Sequence, residues 1–294
     1  MKISIIGAGR LGGALAIALA RKNFAVEYLA ARNFEAAEKI AKLIEPPPKI
    51  ITAERFSEIT SDVILITTQD SEIENVADIL AKTTNIKPQV FHTSGSLSSE
   101  ILKDLKAVGC PTGSIHPLIS ISDARLGAGR LASAYFCVEG DEQAISTAEK
   151  IVETLGGKSF SIAAEYKTLY HASAVTACGH LVALVDAAIE MLSKCGLDEK
   201  DAQTILLPLI KSTVGNLEKQ NTAEALTGTF ARADAGTLDK HIKILRETTS
   251  PEALEIYLQL GSRSLKLAEA QDANRENIEK MHKQILLAKK NLKC

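Results

Sequence analysis

Lys167 and His171 stand four residues apart in "YKTLYHASAV", a spacing that sets both side chains on one face of a helix. An amine beside an imidazole in a partly dry cleft has its pKa drawn towards working pH. Such a pair can hand over a proton or steady a developing negative charge. The plainer alternative is a surface lysine and a packed core histidine. His116 in "GSIHPLIS" is a third candidate for the same work, weighed against a structural turn with Pro117. Thr93 and Ser94 in "HTSGS" offer hydroxyls to a ligand or to an ordinary turn. In "LTGTFARADAGTLDKH", Arg232 suits a substrate carboxylate, with Asp234 and His241 to fix its position. Its alternative is an Arg232–Asp234 pair that holds only itself. The six histidines have no acid or thiolate at ligand spacing, so no metal site is expected.

These side chains need elements to hold them, and the first is announced by "MKISIIGAGRLGGALAIALARK". Ile3 to Ile6 form a short apolar run suited to a buried parallel strand. Leu11, Ala14, Leu15, Ala18 and Leu19 then repeat at helical spacing. Strand, glycine turn and helix together are the context of a dinucleotide grip. Gly7 permits the tight turn, Gly9 lets the backbone approach a pyrophosphate, and Gly12 lets helix and strand lie close. With Ala8, Arg10 and Leu11 between them, they present the N–H groups and partial positive charge of a helix start to phosphates.

The second strand predicts which dinucleotide. An NAD site usually ends this strand with an acid for the ribose 2′-hydroxyl, whereas "FAVEYLAARN" ends in Ala30-Ala31-Arg32-Asn33. Arg32 offers a planar, permanently charged fork to a 2′-phosphate, with Asn33 beside it. The rival acid, Glu27, lies mid-strand. NADP is therefore the expected cofactor, the alternative being an Arg32 that only solvates the strand end.

Strands and helices alternate through the first half, which predicts an α/β fold with a parallel, doubly wound sheet. Ligands of such sheets bind beyond the carboxyl ends of the strands. Three polar tips fall there: Thr67-Thr68-Gln69-Asp70, His92-Thr93-Ser94-Gly95 and His116-Pro117. Thr67, Thr68, Gln69, Thr93 and Ser94 join the expected cofactor contacts. Alternation stops near Ala163, giving an expected dinucleotide-binding domain at 1–163 and an all-helical domain for substrate and dimerisation at 164–294. The helical domain opens with a reading of about 30 residues from Glu165 to Lys194, roughly 45 Å long.

The whole chain sets limits. Its 294 residues, 46% hydrophobic with a formal charge of −2, suit a soluble two-domain protein with no nucleic-acid or membrane surface. The apolar stretch Ala172–Leu192 carries His180, Asp186 and Glu190, so it reads as a buried core helix rather than a membrane span. Met1 leads straight into the first strand, and five cysteines form no C-x-x-C pair. Both point to a cytoplasmic protein without disulfides.

Dinucleotide domain first and helical domain second resembles the 6-phosphogluconate-dehydrogenase-like superfamily. More closely, "GAGRLG", "HTSGSLSSEIL", "GSIHPLIS", "YKTLYHASAV" and "LTGTFARADAGTLDKH" resemble a bacterial family of NADP-oxidoreductase-like proteins with a Rossmann-like domain and a DUF2520 domain. That resemblance implies a catalytic lysine on the first helix of the second domain, at Lys167. It also implies a homodimer paired through that domain, and an NADPH-dependent reductase of a small carbonyl compound such as ketopantoate. An imine reductase of the pyrroline-5-carboxylate type and a non-catalytic NADP(H)-binding regulator are the alternatives. The regulator reading draws on "TACGHL", where a small polar residue such as asparagine is expected one or two turns past the lysine. His171 or His180 is left to take that part.

Overall fold

Every side chain of the run Val63-Ile64-Leu65-Ile66 is buried, as a parallel strand covered on both faces requires. Successive side chains point to opposite faces. Val63 and Leu65 therefore join a core with Ile3, Ile5, Leu15, Leu19, Phe91 and Phe136. Ile64 and Ile66 join a second core with Ile6, Ile73, Leu80 and Leu102. The computed structural model describes residues 1–292 and divides into two compact units, Met1–Ala177 and the chain from Cys178 onward. The division falls after Ala177 rather than after Ala163, so Lys167 and His171 belong to the unit that holds the sheet.

That sheet contains β1 (Lys2–Ile6), β2 (Ala25–Ala30), β3 (Lys49–Ile51), β4 (Val63–Ile66), β5 (Gln89–His92), β6 (Thr112–Leu118), β7 (Tyr135–Gly140) and β8 (Lys158–Phe160). Their order is β3-β2-β1-β4-β5-β6-β7-β8. Helices α1 (Arg10–Arg21), α2 (Phe34–Ala41), α3 (Asp70–Thr83), α4 (Lys103–Ala107), α5 (Ala124–Arg130), α6 (Glu142–Leu155) and α7 (Lys167–Ala177) complete this unit. The doubly wound α/β fold is as expected, but the sheet is not wholly parallel. β7 runs antiparallel to β6, with Ser114 opposite Glu139 and His116 opposite Cys137, and β8 follows β7 in direction. The connection from β6 to β7 carries the short α5, which packs against α1, and the chain returns beside β6 in the opposite direction.

The second unit is helical: α8 (Gly179–Ser193), α9 (Glu199–Leu217), α10 (Gly228–Ala231), α11 (Ala235–Thr248), α12 (Pro251–Glu269) and α13 (Arg275–Leu292). Its core is made by Leu238, Ile242, Leu254, Leu258, Leu265, Met281 and Ile285 from α11, α12 and α13. The helical run expected from Glu165 to Lys194 is present as Ala164–Ser193 but is divided into α7 and α8 at Cys178. There the φ of −113° departs from the ideal while the ψ of −66° keeps the residue in the right-handed region, just before Gly179, a residue that favours no helix interior. Its apolar stretch is not the buried core helix expected. Ala164–Ser193 is long and apolar enough to cross a membrane, and only 6% of its most apolar window is buried. Ala187 is the buried residue of α8 and Ala202 that of α9.

Candidate active site

The glycine turn follows β1. Gly7 has a left-handed φ of +115°, and its N–H donates to Ala30 O at 2.8 Å, tying the turn to the end of β2. Gly12 admits no side chain, because a Cβ there would overlap the Gly7 carbonyl and the Thr67 hydroxyl. Thr67 is spent in the same place: Oγ1 donates to Gly7 O at 2.7 Å, so it braces the turn rather than facing a ligand. Gly9 is different. It precedes α1, and a Cβ built on it meets nothing within 4 Å, leaving open space over backbone that could lie against a pyrophosphate. Arg10 is exposed in the first turn of α1, while Ala8 and Leu11 pack on the core beneath.

Beyond β2, Arg32 is 84% exposed, with Glu72 of α3 at 4.0 Å. Asn33 caps α2, its Oδ1 accepting from Ala36 N at 3.0 Å. The rival acid Glu27 is occupied, paired with Lys2 at 2.7 Å and accepting from Ser61 at 2.9 Å. At the tip of β4, Gln69 is exposed, and the buried hydroxyl of Thr68 has no partner among the described residues. A buried hydroxyl left unmatched is costly, and this one stands one residue past the threonine that braces the glycine turn.

The β5 and β6 tips carry a second cluster. Thr93 is buried, with its hydroxyl turned to Ile66 O at 3.4 Å. Ser94 Oγ donates to Asp70 at 2.7 Å, and Ser96 Oγ reaches the same carboxylate at 2.8 Å. The Ser94 hydroxyl is thereby locked into the loop, and the residue serves through its carbonyl. Lys167 Nζ donates to that carbonyl at 3.3 Å and to Ser114 Oγ at 2.9 Å. Lys167 is only 1% exposed, so it is neither a surface lysine nor an open cleft residue. Burial pushes its pKa down, offset in part by Cys137, Glu139 and Asp70.

On α7, Lys167, Tyr170 and His171 occupy one face at i, i+3 and i+4, the face turned towards β6. His116 Nδ1 lies 2.7 Å from the Tyr170 hydroxyl, and its ring meets His171 edge-on with centroids 5.9 Å apart. Burial, then the positive charge of Lys167, hold His116 well below the ordinary imidazole value, at about 4. His92, fully buried, is held at about 4 by the same two causes, and its Nδ1 accepts from Ser94 N at 3.1 Å.

The structure thus gathers Lys167, His171, His116 and Ser94 into one place, and adds Ser114, Tyr170, Asp70 and His92. Ser114 was legible as the residue two before His116 on the same strand face, and Tyr170 as the residue three after Lys167. Arg232, Asp234 and His241 lie in the helical unit, and the expected trio does not form there. Asp234 caps α11, accepting from Thr237 N at 2.9 Å and Thr237 Oγ1 at 2.7 Å. Those two bonds hold its carboxyl below the usual range, with Arg232 adding only a weaker pull. His241 Nδ1 pairs with the Tyr257 hydroxyl at 2.8 Å.

Residues 1–117 match the Rossmann-like domain family, and residues 134–264 match the domain of unknown function DUF2520. No functionally curated protein matches the sequence. Among solved structures, the chain is similar to protein TM1727 of Thermotoga maritima, at 26% identity and a TM-score of 0.72 over 92% of this chain and 99% of that one. It is also similar to a Bacteroides fragilis protein, BF3122, described as a candidate NADP oxidoreductase, at 21% identity and TM-score 0.73 over 90% and 98%. A pyrroline carboxylate reductase of Plasmodium falciparum with NADP bound shares the fold at 14% identity and TM-score 0.58, over 91% and 98%. The chain is therefore similar to a Rossmann-like domain over residues 1–117 and to a DUF2520 domain over residues 134–264, and it shares its fold with the NADP-bound pyrroline carboxylate reductase.

Proposed function

We propose that the chain is an NAD(P)-dependent oxidoreductase, with NADPH preferred, that reduces a small carbonyl compound such as the 2-oxo acid ketopantoate. One observation carries the reading: a buried ammonium, hydrogen-bonded among the described residues only to neutral oxygens, lies beside a tyrosine–histidine pair on the sheet edge that also bears the glycine turn. The open space over Gly9 and the unmatched Thr68 hydroxyl suit a bound dinucleotide. Gly7 to Gly12 would hold its pyrophosphate and Arg32 its 2′-phosphate, and the nicotinamide would supply a hydride. The chain's own residues do the rest. Ser114 and the Ser94 carbonyl aim the Lys167 ammonium, which keeps one N–H without a protein acceptor among the described residues. That proton and that charge suit an oxygen on which negative charge develops.

The same charge favours a carbonyl over an imine. Hydride transfer to a carbonyl builds negative charge beside Lys167, whereas a protonated imine brings its own positive charge up to the ammonium before hydride transfer cancels it. Structural neighbours include an imine reductase of Streptomyces aurantiacus at 13% identity, so a cyclic imine belongs in the test. NADPH oxidation is followed with a panel of 2-oxo acids beginning with ketopantoate, and with a cyclic imine. Turnover of a 2-oxo acid supports the carbonyl reading, and turnover of the imine alone replaces it. NADPH binding without turnover of either class favours a regulator.

A further inference from the structure

The His116 ring is confined on several sides. Tyr170 meets it edge-to-face with centroids 5.6 Å apart, and Phe160 backs Tyr170 at 5.9 Å. His171 closes another side. Gly95 lies against the far edge, where a Cβ would come within 2.8 Å of His116 Nε2 and 2.5 Å of His171 Cδ2. A glycine is required there for the two imidazoles to approach the β5 loop. With the ring so held, the remaining freedom is which nitrogen carries the proton.

In a neutral imidazole, the bond made by one nitrogen decides the state of the other. The Tyr170 hydroxyl has a single partner among the described residues, His116 Nδ1 at 2.7 Å. Burial keeps the phenol protonated, so its proton is available to donate. Were Nδ1 protonated instead, the phenol proton would have no protein acceptor. Nε2, the nitrogen beside Gly95, has no protein partner among the described residues.

We propose that Tyr170 is a positioning residue that locks His116 in the tautomer with its proton on Nε2, so that the imidazole offers a hydrogen-bond donor, and no base, to the substrate oxygen. The substrate half of this inference rests on the reductase reading above. The two donors then have different tasks: Lys167 supplies charge, and His116 supplies direction. No proton leaves the imidazole; hydride transfer makes an alkoxide, which takes its proton from the Lys167 ammonium, while the His116 N–H bond stays intact as a donor to that oxygen.

The test is a nitrogen–proton correlation spectrum of the full chain labelled with 15N-histidine near neutral pH, with His116 assigned by the signal lost in His116→Gln. The expected spectrum has Nε2 protonated and Nδ1 bare. Tyr170→Phe should turn this into a mixture of tautomers and, on whichever substrate turns over, lower kcat on the order of 10–100-fold with little change in NADPH affinity. A proton on Nδ1 in the unmodified chain overturns the assignment, as does a Tyr170→Phe spectrum without change. A changed tautomer with full kcat removes the link to substrate. The spectrum needs no substrate, so failure of every compound in the turnover panel would remove the reductase reading while leaving the lock itself measured.

Discussion

Taking an ammonium out of water costs several kcal/mol unless its surroundings repay it, and among the described residues the hydrogen bonds of Lys167 go only to the oxygens of Ser114 and Ser94. Such a residue is poorly explained by stability. Lys167→Met, which keeps most of the volume and drops the charge, should hold or raise the melting temperature while cutting kcat by about 10²–10³. A variant that melts earlier and keeps full turnover would make Lys167 a structural residue. Arg32 poses the opposite case, a guanidinium at 84% exposure with one acid at 4.0 Å. A charge-assisted contact to a 2′-phosphate is worth roughly 1.5–3 kcal/mol, so NADPH should bind about 10–100 times better than NADH. Titration calorimetry should show Arg32→Ala erasing most of that difference; equal affinities in the unmodified protein would end the claim. His92 and His116, both held at about 4 against an ordinary 6.5, set the acid response. Between those values the unfolded chain binds more protons, so stability is full above pH 6.5 and falls as pH drops towards 4. The loss is at most on the order of 3 kcal/mol per histidine. Melting curves from pH 7 to 4.5 should show the decline, and His92→Gln should flatten it. Side-chain type and spacing made Lys167, His171 and His116 readable as candidates. The Lys167–Ser114 bond was not readable, because it joins residues 53 apart that only the sheet brings together.

Among the elements, the glycine turn gives the sharpest contrast. Gly9 and Gly12 look equivalent in sequence, yet one faces open space and the other faces backbone. Gly9→Ala should leave the melting temperature unchanged and weaken NADPH binding tenfold or more, about 1.4 kcal/mol. Gly12→Ala forces the turn apart and should cost roughly 3 kcal/mol of stability. Identical effects on both quantities would refute the assignment. Elements with a strong local signal were legible: the polar tips read at Thr67 and His92 mark the carboxyl ends of β4 and β5 to within a residue, and the apolar run Ile3–Ile6 is β1. What failed depended on partners far away. α5, on the connection to the antiparallel β7, is seven residues rich in glycine and alanine, too short to show a period. The break at Cys178 escaped because its flanks are equally apolar, so periodicity runs through it.

At the scale of the molecule, α8 and α9 are apolar helices that the second unit leaves uncovered. Val182 is 70% exposed, Leu209 64% and Ile205 55%, more apolar surface than a solitary soluble chain usually shows. A second copy of the chain is the proposed cover, paired about a twofold axis as is commonest for such contacts. Light scattering at micromolar concentration should report about twice the 31.5 kDa chain mass, and Leu209→Glu should halve it. A monomer under the same conditions would refute the pairing. Burial of the α8 stretch was misread from sequence because hydropathy tells that a face wants cover, without telling whether the cover is the same chain.

The seam between β6 and β7 bears on how such a chain can be divided. The Rossmann-like match stops at 117 and the DUF2520 match starts at 134, yet the strands on either side pair at six positions, from Gly113↔Gly140 to Leu118↔Tyr135. Ser94, Ser114 and His116 lie before the seam, and Lys167, Tyr170 and His171 lie after it. Neither stretch could be exchanged or lost alone without baring a sheet edge and halving the cluster. Within this chain the two matched stretches are therefore one structural module, so a substitution at the β6 side of the seam is felt by the β7 strand that pairs with it.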